Sequence, residues 1–256
     1  MKIGITERGD ASRDFSWVDQ MNHVEGAILI TKNITDDFID AVLPYKDKVI
    51  LHATVTGYGH TKLEPHVMAW QKSIRQIQRL IDSGFARDQI VLRIDPIIPT
   101  DKGLALFDKV FRAGYKIGVR RFKISVIDMY PHVRERFIAE KLPLPYGDNF
   151  TASTKQFAAV DRCVQRIQML WPDIEIECCA EPQLQYPRKV GCVSNDDLEI
   201  LGLKPQNDDN VGYQRKDCLC LSCKTELLNN KYQCSNKCLY CYWKSQTENN
   251  KQEVKG

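Results

Sequence analysis

The sequence predicts an α/β fold: a partial (βα)6 TIM-type barrel with a C-terminal cysteine-rich iron–sulfur module. Three observations carry this expectation. Six short apolar, β-branched runs recur through the first 180 residues, helical patterns separate them, and hydrophobic periodicity fades beyond Cys192, where cysteines crowd. Parallel neighbours need crossover helices, and six strand–helix units close only part of a barrel that takes eight.

The strand-like runs are 2–6, 27–32, 49–56, 89–96, 121–128 and 173–180. Several are nearly continuously apolar, as strands buried on both faces are. The clearest helix is 66–85, where Val67, Trp70, Ile74, Ile77 and Ile81 repeat at spacings of three and four. A second covers 153–170, with Phe157, Val160, Val164 and Ile167 on one face and Pro172 just beyond its end. Weaker patterns fit 36–43 and 103–113. The expected organisation is a barrel over 1–190, a cysteine-rich cluster-binding module over 191–243 and a disordered polar tail over 244–256. The module is too poor in apolar residues to build its own core, and a metal would supply the missing stability.

Hydrophobic residues make up 43% and charged residues 27%, which excludes collagen-like, coiled-coil and wholly disordered chains. The net charge of +3 is too small to imply a nucleic-acid or anionic-membrane partner by bulk electrostatics. Over 204–244 seven Lys/Arg face four Asp/Glu, so nucleic acid is only weakly supported as a partner. The start shows no apolar h-region or cleavage site, and no stretch is long enough to cross a bilayer. The expectation is a cytoplasmic protein with no membrane partner. Its ten cysteines then read as metal ligands before disulfides.

The sharpest motif is Cys234-x3-Cys238-x2-Cys241. Three thiolates at this spacing can hold three irons of a [4Fe-4S] cluster and leave the fourth open to S-adenosylmethionine (SAM). Tyr240, just before the third cysteine, stands where such loops meet the adenine. Zinc is the alternative, because Cys238-x2-Cys241 is also a zinc-type pair. A zinc-stabilised barrel would be a non-radical hydrolase or a binding protein. Cys179, Cys192, Cys218 and Cys220 form a second candidate group for an auxiliary cluster or zinc. Cys178 and Cys179 are adjacent on a strand, so only one can face such a site. Cys163 reads as helix packing.

With several upstream blocks, these residues resemble an uncharacterised bacterial domain-of-unknown-function family, distantly similar to spore photoproduct lyase. Its members carry a radical-SAM-type cysteine motif at the C-terminus. The resemblance rests on Ile30-Thr31-Lys32-Asn33, on Ala53-Thr54-Val55-Thr56-Gly57-Tyr58-Gly59 followed by Leu63-Glu64-Pro65, and on Leu92-Arg93-Ile94-Asp95-Pro96-Ile97. It continues through Ile124-Ser125-Val126-Ile127-Asp128-Met129-Tyr130, Cys179-Ala180-Glu181, Gln214-Arg215-Lys216-Asp217-Cys218-Leu219-Cys220 and 234–242. The family's Ser-Arg-Arg-Thr-Asp element is replaced here by Thr6-Glu7-Arg8-Gly9-Asp10, and Cys223 stands where a serine is usual. The resemblance implies a radical SAM enzyme of unspecified reaction, a bound [4Fe-4S] cluster and SAM, a reductant such as flavodoxin or ferredoxin, and an unknown substrate, with nucleic-acid repair or modification as one class. It also implies that Glu64 meets the SAM ribose or amino group.

Strand ends carry the reactive groups of a parallel barrel. Lys32 and Asn33 end the second run, Thr54 and Thr56 the third, Arg93 and Asp95 the fourth, and Ser125 and Asp128 the fifth, with Glu181 after the sixth. Arg93, Asp95, Ser125 and Asp128 are the catalytic candidates, and Asn33, Thr54, Thr56, Glu64 and Tyr240 the cofactor-binding ones. Arg93 and Asp95 equally suit a buried ion pair. Thr54 and Thr56 equally suit plain strand formers.

Overall fold

Apolar runs with side chains on alternate faces become the strands of one sheet. In the computed structural model, which describes residues 1–206, 217–229 and 234–244, the strands are β1 (Ile3–Ile5), β2 (Gly26–Thr31), β3 (Val49–Thr54), β4 (Ile90–Ile97), β5 (Arg121–Val126), β6 (Glu175–Cys178), β7 (Arg188–Lys189) and β8 (Lys224–Glu226). Every pairing is parallel, and the order is β7-β6-β5-β4-β3-β2-β1-β8. The fold is therefore α/β, an eight-stranded parallel sheet flanked by helices. The sheet has two strands more than the six the sequence predicts. β7 and β8 are only two and three residues long and carry no apolar alternation, so periodicity cannot find them.

The helices are α1 (Trp17–Gln20), α2 (Asp36–Val42), α3 (Trp70–Asp82), α4 (Asp101–Lys116), α5 (Pro131–Ala139), α6 (Thr154–Leu170) and α7 (Asn195–Ile200). Side-chain caps fix several starts. Thr35 accepts from Phe38 N–H at 3.1 Å, Thr100 from Gly103 N–H at 3.2 Å, and Ser153 and Gln156 form a capping box. The 66–85 pattern begins as helix only at Trp70. Before it the chain turns tightly: His60 N–H donates to the carbonyls of Glu64 and Val67, both at 3.1 Å. A Cβ on Gly59 would stand 2.0 Å from the Met68 carbonyl oxygen, so this turn requires glycine. Val67 is thus buried in the turn and not on the helix.

The outer face of the sheet, with Leu29, Leu51, Leu92, Phe122 and Ile176, packs on the flanking helices in the main core. The inner face begins apolar. Ile3, Ile5, Ile28, Ile50 and Val91 form a second core with Val193, Leu198, Cys218 and Cys220. The segment beyond Cys192 thus shares the sheet's inner core. The expected tail is described only at Lys244; residues 245–256 lie outside the described residues, as do Gln214, Arg215 and Lys216 of the family-like block. Among the described residues no helix is long and apolar enough to cross a membrane.

Candidate functional site

Beyond its apolar beginning the inner face turns polar: His52 and Thr54 on β3, Arg93 and Asp95 on β4, Arg121, Lys123 and Ser125 on β5, Glu177 on β6. Register aligns Thr54 with Arg93, Arg93 with Lys123 and Lys123 with Glu177. Buried charges must be paired. Arg121 donates to Glu177 at 3.0 Å and to Asp197 of α7 at 3.0 Å. Lys123, 2% exposed, sits 2.9 Å from Glu177 and donates to the Gly191 carbonyl at 2.6 Å. Burial works against the Glu177 carboxylate, but Lys123 and Arg121 outweigh it and hold its pKa below the usual value. This quartet ties β5, β6, α7 and the chain leading into Cys192 together.

One layer nearer the strand ends, Asp95 bonds Arg93 on its own strand and Ser125 on β5. Arg93, Ser125 and Lys32 keep the Asp95 carboxyl low despite burial. The Arg93 Nε and both ring nitrogens of His52 are buried without a hydrogen-bond partner among the described residues. Burial, with Lys123 and Arg93 nearby, drives the His52 pKa well down, so its ring is neutral.

At the ends of β2 and β3 the 234–241 loop docks through two networks. In the first, Asp10 accepts from Thr31 Oγ1 at 2.6 Å, the Lys32 amide at 2.8 Å and Asn236 Nδ2 at 2.6 Å. Asn236 Oδ1 accepts from Asn33 at 2.8 Å and Arg13 at 3.1 Å. In the second, Lys32 Nζ lies 3.0 Å from Glu64 and 2.8 Å from the Tyr240 hydroxyl, which itself donates to Glu64. Thr56 donates to the other Glu64 oxygen at 2.7 Å. Burial opposes the Lys32 charge, but Glu64, Cys238 and Asp95 raise its pKa. Arg136 of α5 holds the far end of the loop, donating to the Cys241 carbonyl at 2.6 Å and that of Trp243 at 2.8 Å.

The cysteines divide into two places. Cys234 is exposed, Cys238 buried and Cys241 half-buried on the docked loop. Burial, only partly offset by Lys32, pushes the Cys238 thiol up to about 12. A cavity of about 450 Å³ opens beside Cys234, lined in part by Asp10, Arg13 and Ser16. Elsewhere, Cys179, Cys192 and Cys220 are buried with sulfurs all within 4.8 Å of one another, a group that could hold a metal ion. Cys192 is the thiol most easily ionised there: bonds from Cys179 and Cys220 lower its pKa, with Arg93 and Lys123 assisting. The bond with Cys192, helped by burial, raises Cys179, and the bonds with Cys179 and Cys192, again helped by burial, raise Cys220. Cys218 packs in the same inner core but lies outside this group of three. Cys178 faces the outer core and Cys163 packs against it. A larger cleft, about 640 Å³, lies at the opposite strand ends beside Arg120, Arg121 and Glu175.

The structure brings Arg93, Asp95 and Ser125 into one contact group, and Asn33, Thr56, Glu64 and Tyr240 into the docking networks. Asp128 lies past the end of β5 near Tyr146, whose pKa burial and the Asp128 charge raise. Thr54 is buried at the end of β3. Sequence reasoning missed Asp10, Lys123, Glu177, Asp197 and Asn236. The charged–apolar alternation Arg121-Phe122-Lys123-Ile124-Ser125 was the available signal for a polar inner face.

Two outcomes follow. Replacement Glu177→Gln leaves Lys123 and Arg121 short of a buried counter-charge and lowers unfolding free energy at pH 7 by about 3–5 kcal/mol. A depressed carboxylate adds stability above its unfolded value of 4.5 and loses it as pH falls, so the deficit narrows below that pH. Urea unfolding across pH tests this, and a pH-independent gap contradicts it. Replacement Asn236→Ala frees the loop, so amides of 236–243 exchange with deuterium faster while β2 to β5 keep their protection. Unchanged loop exchange contradicts the docking role.

Comparison with known proteins adds a family. No curated protein matches the chain. Among solved structures it is similar to a mutant of the Thermobaculum terrenum O-GlcNAc hydrolase, at 14% identity and a TM-score of 0.32, over 79% of this chain and 38% of that one. The chain spans well under half of that protein, and so loose a likeness carries no argument about activity. The family model described as Domain of unknown function (DUF1848) matches residues 11–243. With nearly the whole length matched, the chain belongs to the DUF1848 family.

Proposed function

We propose that this protein is a radical SAM enzyme built on a partial (βα)6 TIM-type barrel, with a [4Fe-4S] cluster held by Cys234, Cys238 and Cys241. The observation that carries the reading is the docking of the 234–241 loop at the C-terminal strand ends, through Asp10–Asn236–Asn33 and Lys32–Tyr240–Glu64. The consecutive strand order β1 to β6, with no reversal, supports the barrel. The donor set fits the group: three thiols on one short loop, with a lysine ammonium beside the most buried. When bound, such a cluster supplies the electron that cleaves SAM to a 5′-deoxyadenosyl radical.

The chain's own residues then have separable tasks. Glu64 is 1% exposed and both its oxygens are engaged, so it positions Lys32 and Tyr240 and does not grip a ligand itself. Lys32 sets a positive charge between Cys238 and Asp95. Arg93 and Asp95 form the polar floor of the site, and the unpartnered Arg93 Nε is a donor for substrate. The cavity beside Cys234 is on the scale of small-molecule sites.

The test is reductive cleavage of SAM by anaerobically reconstituted protein with dithionite as electron source. The native chain forms 5′-deoxyadenosine. Variants Cys234→Ala, Cys238→Ala and Cys241→Ala fall to background, and Cys163→Ala retains activity. Cleavage surviving in any of the three loop variants contradicts the assignment.

A further inference from the structure

We propose that Cys179, Cys192 and Cys220 hold one soft divalent metal ion of the zinc class, apart from the Cys234 loop, and that this ion clamps the C-terminal segments to the end of β6. The proposal stands on sulfur geometry and does not rest on the radical reading. Thiolates on one tetrahedral ion, with bonds of about 2.3 Å, stand about 3.8 Å apart. The three sulfurs here all lie within 4.8 Å of one another, which fits a single ion. Thiolates capping separate irons of a cubane splay further apart, so this group does not suit an auxiliary cluster.

The surroundings are built for a thiolate site. All three cysteines are buried. The Cys192 amide donates to the Cys220 sulfur at 3.1 Å, the kind of second contact that orients a metal-bound thiolate. Three thiolates and a divalent ion carry a net charge of −1, and Arg93 and Lys123 are the cations that face Cys192. The backbone is fitted as closely. A Cβ on Gly191 would stand 2.5 Å from the Leu219 carbonyl oxygen and 2.6 Å from the Cys220 Cα, so only glycine lets the two segments meet. Leu221 N–H donates to the Val193 carbonyl at 3.1 Å beside them. Cys179 directly follows β6, Cys192 follows β7 and Cys220 precedes β8. One ion therefore joins three stretches distant in sequence and closes a long loop, removing conformational freedom that the sparse apolar content of this region does not offset.

The experiment measures zinc, iron and sulfide per chain in the full-length protein purified without oxygen. The native chain carries one equivalent of zinc. In Cys192→Ser and Cys220→Ser zinc falls by about tenfold or more, while iron and sulfide stay at the native level. Variant Cys238→Ser keeps its zinc. Where a serine variant fails to fold, titration of the metal-free Cys238→Ser chain, whose loop triad is broken, with cobalt(II) alone decides: intense thiolate-to-cobalt absorption saturating at one equivalent supports the site, and its absence overturns it. Zinc retained in both serine variants overturns the proposal. So does loss of iron and sulfide from Cys192→Ser, which would mark a cluster, or isolation of these thiols as a disulfide. One equivalent of zinc without SAM cleavage would overturn only the radical reading.

Discussion

The buried ammonium of Lys123 is the constraint on which the inner face depends. At 2% exposure it cannot be solvated, and it survives between the Glu177 carboxylate and the Gly191 carbonyl. Glu177 in turn holds Arg121, and Arg121 holds Asp197 of α7. The network fixes the chain at Gly191, and Cys192 follows directly. A charge placed in the sheet by β5 thus determines where the cysteine-bearing segment can lie.

The same logic governs the other side of the site. Asp10 is buried with five donors around it: the Ser12 amide and hydroxyl, Thr31, the Lys32 amide and Asn236. It joins the turn after β1, the end of β2 and the 234–241 loop. Between these two anchored regions stand Arg93 and Asp95, with Cys192 facing the arginine and Cys238 facing Lys32. Two cysteine groups therefore flank one polar floor, each fixed by a different buried carboxylate.

Much of this was legible in sequence, and the remainder was hidden for physical reasons. Strands β2 and β3 declared themselves as nearly continuous apolar runs, and β5 and β6 as apolar residues alternating with polar ones. Helix α5 did not, since Val133 and Phe137 are its only buried apolar residues and Ile138 faces solvent. No local pattern marks Lys123 and Glu177 as buried, because pairing that makes burial tolerable depends on register between strands and not on local spacing. The cysteine spacing exposed the 234–241 loop, and proximity of Cys179, Cys192 and Cys220 was anticipated from the strand ends. Cys218 was expected to join them on the rule that alternate residues of an extended strand face one way. Residues 218–220 are loop, following Asp217 at φ +61°, so that rule does not apply and only Cys220 enters the group.

What the docked loop holds decides the chemistry of the site. Electron paramagnetic resonance of the anaerobically reconstituted, dithionite-reduced protein tests it most directly. A radical SAM centre on this loop gives the signal of a reduced [4Fe-4S] cluster whose g-values shift when SAM is added, with both features lost in Cys238→Ala. A native protein with no such signal, or with a signal indifferent to SAM, would contradict it.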